Sequence, residues 1–260
     1  MKATFNSTFW RIPAVVLLFF GEIALGSQTD WAASAAFAKA EFQRAEARFH
    51  AHMANATNAW QFARAAFDLA EFSTNNSDRA MLADQGIGAS RMAVACEPTN
   101  AAGHYYLAMN LGQRARTEFL GALRLVREME REFETAGRLD ARFDHAGPER
   151  NLGLLYREAP GWPISIGSNS KSRPLSEKAV QLAPEYPENY LNLIESYMKW
   201  SEPDAAKIEL RALDAIWPAA RTNFTGVKWA QAWDNWSQRR EAVRKTLKAP
   251  PASTPAAPPK

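Results

Sequence analysis

The sequence predicts an all-α protein, a solenoid of helical hairpins with about ten helices and a C-terminal capping helix. Three observations carry this. Helix formers dominate, and alternating β-branched runs are almost absent. Apolar residues recur at helical spacing along most of the chain. Pro184 and Pro218 stand 34 residues apart and bracket two amphipathic stretches joined by a short turn. A chain of 260 residues that is 47% apolar can bury a sizeable core.

The stretch Pro187 to Ala220 is the clearest unit. Tyr190, Leu193, Ile194 and Tyr197 fall at i, i+3, i+4, i+7 and form one apolar stripe. Ala205, Ala206, Ile208, Leu210, Leu213 and Ile216 supply the matching stripe on a second helix, where the small alanines permit close approach. Ser201-Glu202-Pro203 is the turn, with Pro203 suited to a first helical turn. Pro184 and Pro218 are expected to end the helices before them, because the residue preceding a proline is pushed out of the helical region. Tyr190, Leu193, Ile194, Tyr197, Ala206 and Leu210 occupy the places where a tetratricopeptide (TPR) repeat carries Trp, Leu, Gly, Tyr, Ala and Phe, so the segment resembles that repeat. One such hairpin needs neighbours on both sides to bury its apolar faces.

Taken in order, residues 1–26 read as an export signal, with Lys2 and Arg11 before an apolar run at 12–20 and a small-x-small site at Ala24-Leu25-Gly26. The run is shorter than the roughly 20 residues of a usual bilayer span, though an uncleaved anchor is the alternative. The signal predicts export, with the periplasm as the expected destination. Residues 33–52 form a helix with a stripe at Ala38, Phe42, Ala45, Phe49 and Met53. Asn58 is the expected cap of the next, which carries Trp60, Ala63 and Phe67, with Arg64 where the repeat prefers glycine or alanine. Ser77 is expected to cap a long helix that ends near Cys96.

From Pro98 the register returns: His104, Leu107, Ala108 and Leu111 repeat the spacing of Tyr190, Leu193, Ile194 and Tyr197. A long helix at 116–139 should pair with that one. The third unit begins near Pro148 with Leu152-Gly153-Leu154-Leu155-Tyr156, and its second helix, 174–183, is displaced by an inserted loop at 159–173. After the complete repeat, residues 227–247 carry Trp229, Trp233 and Trp236 on one face and charge on the other, as a capping helix should. The helical domain is thus 27–247, and the Pro/Ala-rich tail 248–260 should be disordered.

Several chemistries find no support. Net charge is +3, falling to +2 without Lys2, Arg11 and Glu22, so no basic footprint for nucleic acid exists. One cysteine excludes an internal disulfide and a Cys-based zinc site, and Cys96 reads as packing. Gly86-x-Gly88 is followed by Arg91 rather than glycine, and Lys171-Ser172 lacks the glycine of a phosphate loop. His50 and His52 point to different helix faces. Glu128, Glu130, Glu132 and Glu134 read as a solvated face. No cofactor, metal or catalytic grouping emerges, and an enzyme is not expected.

The inserted loop is the informative departure. Trp162, Ile164 and Ile166 in a polar chain segment must pack on something: either the loop plugs its own array, or it lines a binding surface, since loops on rigid scaffolds often carry function. Ser168 to Arg173, with Lys171, could also hold an anion at a helix start. Together with the export segment, Ala102-Gly-His-Tyr-Tyr106, the long helix 116–139 and the Gly161-Trp-Pro loop, Asn151-Leu-Gly-Leu-Leu-Tyr156 looks like the T component associated with TRAP transporters. That resemblance implies an exported TPR-like helical protein acting beside a periplasmic solute-binding subunit. This chain lacks the lipid-carrying cysteine of some members. A carrier holding a small apolar ligand in the helical interior is the alternative.

Overall fold

The structure, a computed structural model, describes residues 28–118 and 121–248, with side chains from Trp31 onward. The expected export segment 1–26 and the tail beyond Lys248 lie outside the described residues. Within them, ten helices follow one another: α1 (Gln28–Ala51), α2 (Ala56–Ala70), α3 (Asn76–Cys96), α4 (Ala101–Ala115), α5 (Ala122–Leu139), α6 (Phe143–Glu158), α7 (Asn169–Leu182), α8 (Pro187–Lys199), α9 (Pro203–Asn223) and α10 (Val227–Lys248). They pair as α2–α3, α4–α5, α6–α7 and α8–α9, while α2, α4, α6 and α8 lie side by side. The α10 helix takes the next place against α8 and α9. The α1 helix packs on α2 and also on α10, so the two ends of the array meet.

The starts of these helices follow from short polar caps. Asn55, Asn75 and Asn100 each accept the backbone N–H three residues on, satisfying a donor that the helix leaves unpaired. Pro187 and Pro203 fill first-turn positions where no N–H is needed. Apolar faces then merge into two core groups, one spanning α1 to α6 and one built mainly from α7 to α10. Phe67, Leu107, Ala108, Leu111, Leu152, Tyr156, Tyr190, Leu193, Tyr197 and Ala206 are buried within the molecule, as is Gly153, and Trp60 is half-buried.

Several expectations need correction. The caps are Asn55 and Asn75 rather than Asn58 and Ser77, whose backbones already lie inside α2 and α3. Met53 follows the end of α1 and is exposed. Cys96 is exposed: it is the last residue of α3, and its counterpart Leu182 is itself only half-buried at the same rim. The α5 helix begins at Ala122 after a turn, not at 116, and α7 begins at Asn169, earlier than 174, because Ser168 caps it. Pro218 does not end α9, which runs on to Asn223. The ring sits on the exposed side, where the Asp214 carbonyl that loses its donor is not sealed in the core. Ile208 also faces solvent, displaced from the stripe expected for it.

The glutamates of α5 are not simply a solvated face. Glu132 meets His104 Nδ1 at 2.6 Å, Tyr156 donates its hydroxyl to Glu130 at 2.6 Å, and Glu128 pairs with Arg91 at 2.9 Å. The acidic row joins α5 to α3, α4 and α6.

Candidate functional site: an exposed loop tip and a polar recess

The loop between α6 and α7 is tied at its base and bare at its tip. Gly167 N–H donates to Pro160 O at 2.8 Å and Ser168 N–H to Tyr156 O at 2.8 Å. Ile164 and Ser165 N–H both reach Gly161 O, at 3.0 and 3.2 Å. A Cβ at position 167 would lie 2.0 Å from Ala159 O, so only glycine permits this closure. Ile166 tucks against the first core group and Ser165 is buried. Trp162 and Ile164, however, are 89% and 64% exposed. The self-plugging expectation therefore holds for Ile166 and fails for the two residues at the tip.

The cations beside the loop are already engaged. Lys171 Nζ lies 4.8 Å from the centre of the Tyr156 ring and 3.6 Å from Glu130. Arg173 makes two bonds to Glu202, one of them at 2.9 Å, and lies 4.7 Å from the Trp200 ring. Its own charge is held more firmly by the Glu202 carboxylate, whose pKa falls in return. The first turn of α7 is capped by Ser168 Oγ. An anion site at 168–173 would have to displace all of these contacts.

A second feature lies where α2, α4 and the start of α6 come together. Trp60 stacks parallel to Tyr106 at 6.0 Å, and Phe143 meets both rings edge-on at 6.2 and 6.0 Å. One turn along α2, Arg64 Nε stands 3.6 Å from Asp68 Oδ2. Both side chains are about half accessible to water, with Tyr106, Asp144 and Glu71 near enough to act on their charges, and the space that these groups border is a recess open to solvent. Burial pushes the Asp68 carboxyl up to about 6 against the pull of Arg64, with Asp144 and Glu71 adding to the rise. The guanidinium of Arg64 is held charged above its ordinary range, first by Tyr106 beside it.

The wall of this recess is an unusual backbone turn. Asp144, His145 and Ala146 all take left-handed conformations, with φ of 50°, 55° and 62°. Such residues persist only where their surroundings force them. Here Arg150 does so: its Nη1 donates to Asp144 O at 3.2 Å, His145 O at 2.9 Å and Asn189 Oδ1 at 3.2 Å. Asn189 in turn donates to His145 O, and the His145 ring stacks 4.5 Å from Tyr186. The Tyr105 hydroxyl donates to Asp144 Oδ2 at 2.7 Å and accepts from Asn151 Nδ2 at 2.9 Å. Burial and the Asp144 charge keep that hydroxyl protonated well above its usual range.

None of the recess residues was singled out for function in the sequence, although Arg64 stands out as a departure from the repeat. Its i, i+4 pairing with Asp68 was the available signal. Asp144 and Arg150 gave none, because their roles depend on α4 and α8. An open groove of about 670 Å³ also runs between α1 and the α2–α3 hairpin, with Phe42, Leu69, Phe72, Met81 and Leu82 among its lining. Among the described residues, no three His, Cys, Asp or Glu side chains gather where they could hold a metal ion.

No family model matches the chain, and no curated protein matches it. Among solved structures, the chain is similar to the crystal structure of a thermophilic TPR protein from Thermus thermophilus. The TM-score is 0.58 at 15% identity, over 85% of this chain and 100% of that one. At that identity the likeness is one of fold. The chain is an all-α, TPR-like helical solenoid.

Proposed function

We propose that this protein is a non-catalytic interaction scaffold that docks a protein partner on the tip of the α6–α7 loop. The observation that carries this is the 89% exposure of Trp162 on a loop held by four backbone hydrogen bonds, two at its base and two across its tip. A large ring held outward by a rigid support makes contact area at low entropic cost, which is how aromatic anchors dominate interfaces. Ile164 beside it extends the same apolar tip. The TPR-like fold supports this reading, since stacked hairpins present extended surfaces for partners. The finer reading, resting on the sequence resemblance, is an exported accessory to TRAP-type solute uptake whose partner is the periplasmic solute-binding subunit.

Trp162→Ala tests the docking surface. Binding to the partner should weaken at least tenfold while the melting temperature stays within a few degrees of wild type, because the side chain touches little of its own protein. Photo-crosslinking from position 162 in the native cells identifies the partner by mass. A solute-binding subunit in the adduct supports the uptake role, another protein leaves the scaffold and removes the uptake role, and no adduct removes the docking tip. The alternative of an apolar cargo in the interior fits less well, since the recess floor carries Arg64 and Asp68.

A further inference from the structure

The recess beside Trp60 combines three kinds of group that the fold itself leaves incompletely used. Arg64 meets Asp68 through one ionic contact at 3.6 Å, and no hydrogen bond to its Nη groups is made among the described residues. A guanidinium prefers the two-pronged contact of a carboxylate, and Asp68 does not provide it. Asp144 uses Oδ2 for Tyr105 and Arg150, while Oδ1 has no partner among the described residues and the side chain remains about one-third open. Trp60 and Phe143 are only partly buried and meet edge to face at 6.2 Å, one turn before Arg64 and directly before Asp144 in the chain. Basic, acidic and aromatic surfaces therefore converge from α2, α4 and α6.

We propose that this recess is a binding site for a small zwitterion with an apolar side chain, of the free α-amino acid type. Arg64 would take the carboxylate through its unused Nη pair. Asp68 and Asp144 would take the ammonium, and Trp60 and Phe143 would receive the side chain. A fully apolar ligand would strip water from Arg64 and Asp68 with nothing in exchange. A simple anion would meet Arg64 but also two carboxylates, and a simple cation would meet the reverse. Only a molecule carrying both charges satisfies every group. This site is separate from the Trp162 tip and does not depend on it.

Isothermal titration of the full chain with three probes tests the assignment: L-phenylalanine, 3-phenylpropionate, which lacks the ammonium, and phenethylamine, which lacks the carboxylate. L-Phenylalanine should bind at least tenfold tighter than either of the others. Arg64→Gln should reduce its affinity to near that of phenethylamine and leave phenethylamine itself unchanged, which also shows that the variant is folded. Asp68→Asn should do the converse, sparing 3-phenylpropionate. Arg64→Lys, which keeps the charge but loses the fork, should fall between wild type and Arg64→Gln. Equal affinities for the three probes, absence of heat from L-phenylalanine, or indifference to both substitutions would overturn the proposal.

Discussion

Asp68 shows how one side chain records its surroundings. Its carboxyl keeps a proton up to about pH 6 in the folded chain but only to about 3.8 when exposed, chiefly because burial disfavours the charge. Between those values the folded state holds the extra proton, so stability falls as pH rises through that window and levels off above it. Asp68→Asn removes this dependence. Melting curves from pH 4 to 7 should therefore show the variant gaining on wild type up to about pH 6, the gap then staying constant. The gap is modest, because the side chain is half open to water and the charge is partly screened. A gap that narrows with rising pH would contradict the placement of Asp68 in a recess. Gly86 makes a different point at the same scale. A Cβ there would lie 2.1 Å from Asn110 Oδ1, and Asn110 cannot step aside without losing its bonds to Ala63 O and Tyr106 O. Gly86→Ala should cost about 1–3 kcal/mol in chemical denaturation, the usual penalty for overpacking. Gly88, with open space around it, should accept alanine at no cost or with a slight gain.

Among elements, α6 depends most on parts of the chain far from itself. Its left-handed start at Asp144–Ala146 is held by Arg150 from within and Asn189 from α8. Arg150 is buried, and removing it would take one donor each from the Asp144 carboxylate, the Asp144 carbonyl and the His145 carbonyl, leaving Tyr105 and Asn189 to hold the turn. Arg150→Met should cost about 3–5 kcal/mol, as breaking a buried pair from one side does, and hydrogen exchange should quicken first at 143–147. A cost under about 1 kcal/mol would mean that the turn holds itself. This dependence explains what the sequence made legible. The spacing from Pro98 and Pro184 located α4 and α8, because proline and helical apolar stripes are local signals. Helix starts slipped by a few residues at Asn58 and Ser77, where several polar residues competed for the cap. Cys96 and Ile208 carried apolar character into positions at the rim, which periodicity alone does not separate from the core. The recess was not legible, because it is assembled from side chains more than 80 residues apart that only the stacking of hairpins brings together. Trp162 was legible as an oddity, and its outward direction was not.

At the scale of the molecule, contact between α1 and α10 changes how the array should unfold. In an open solenoid each hairpin touches only its neighbours, and damage at one end is felt weakly at the other. Here the first described helix and the last one pack together, so the ends are coupled directly as well as through the repeats. Phe42, buried in α1 and 5.3 Å from the Phe62 ring, is a suitable place to test this. Phe42→Ala should cost about 3–5 kcal/mol. Five of the nine tryptophans (Trp200, Trp217, Trp229, Trp233 and Trp236) lie in the last quarter of the chain, so fluorescence reports mainly on that end, while far-ultraviolet circular dichroism reports on all the described helices. If the ends are coupled, urea midpoints from both signals should fall together and remain coincident in the variant, the mark of one cooperative unit. If instead the fluorescence midpoint stays at its wild-type value while the dichroism curve moves or splits, the α1–α10 contact transmits nothing, and the chain behaves as an ordinary open array.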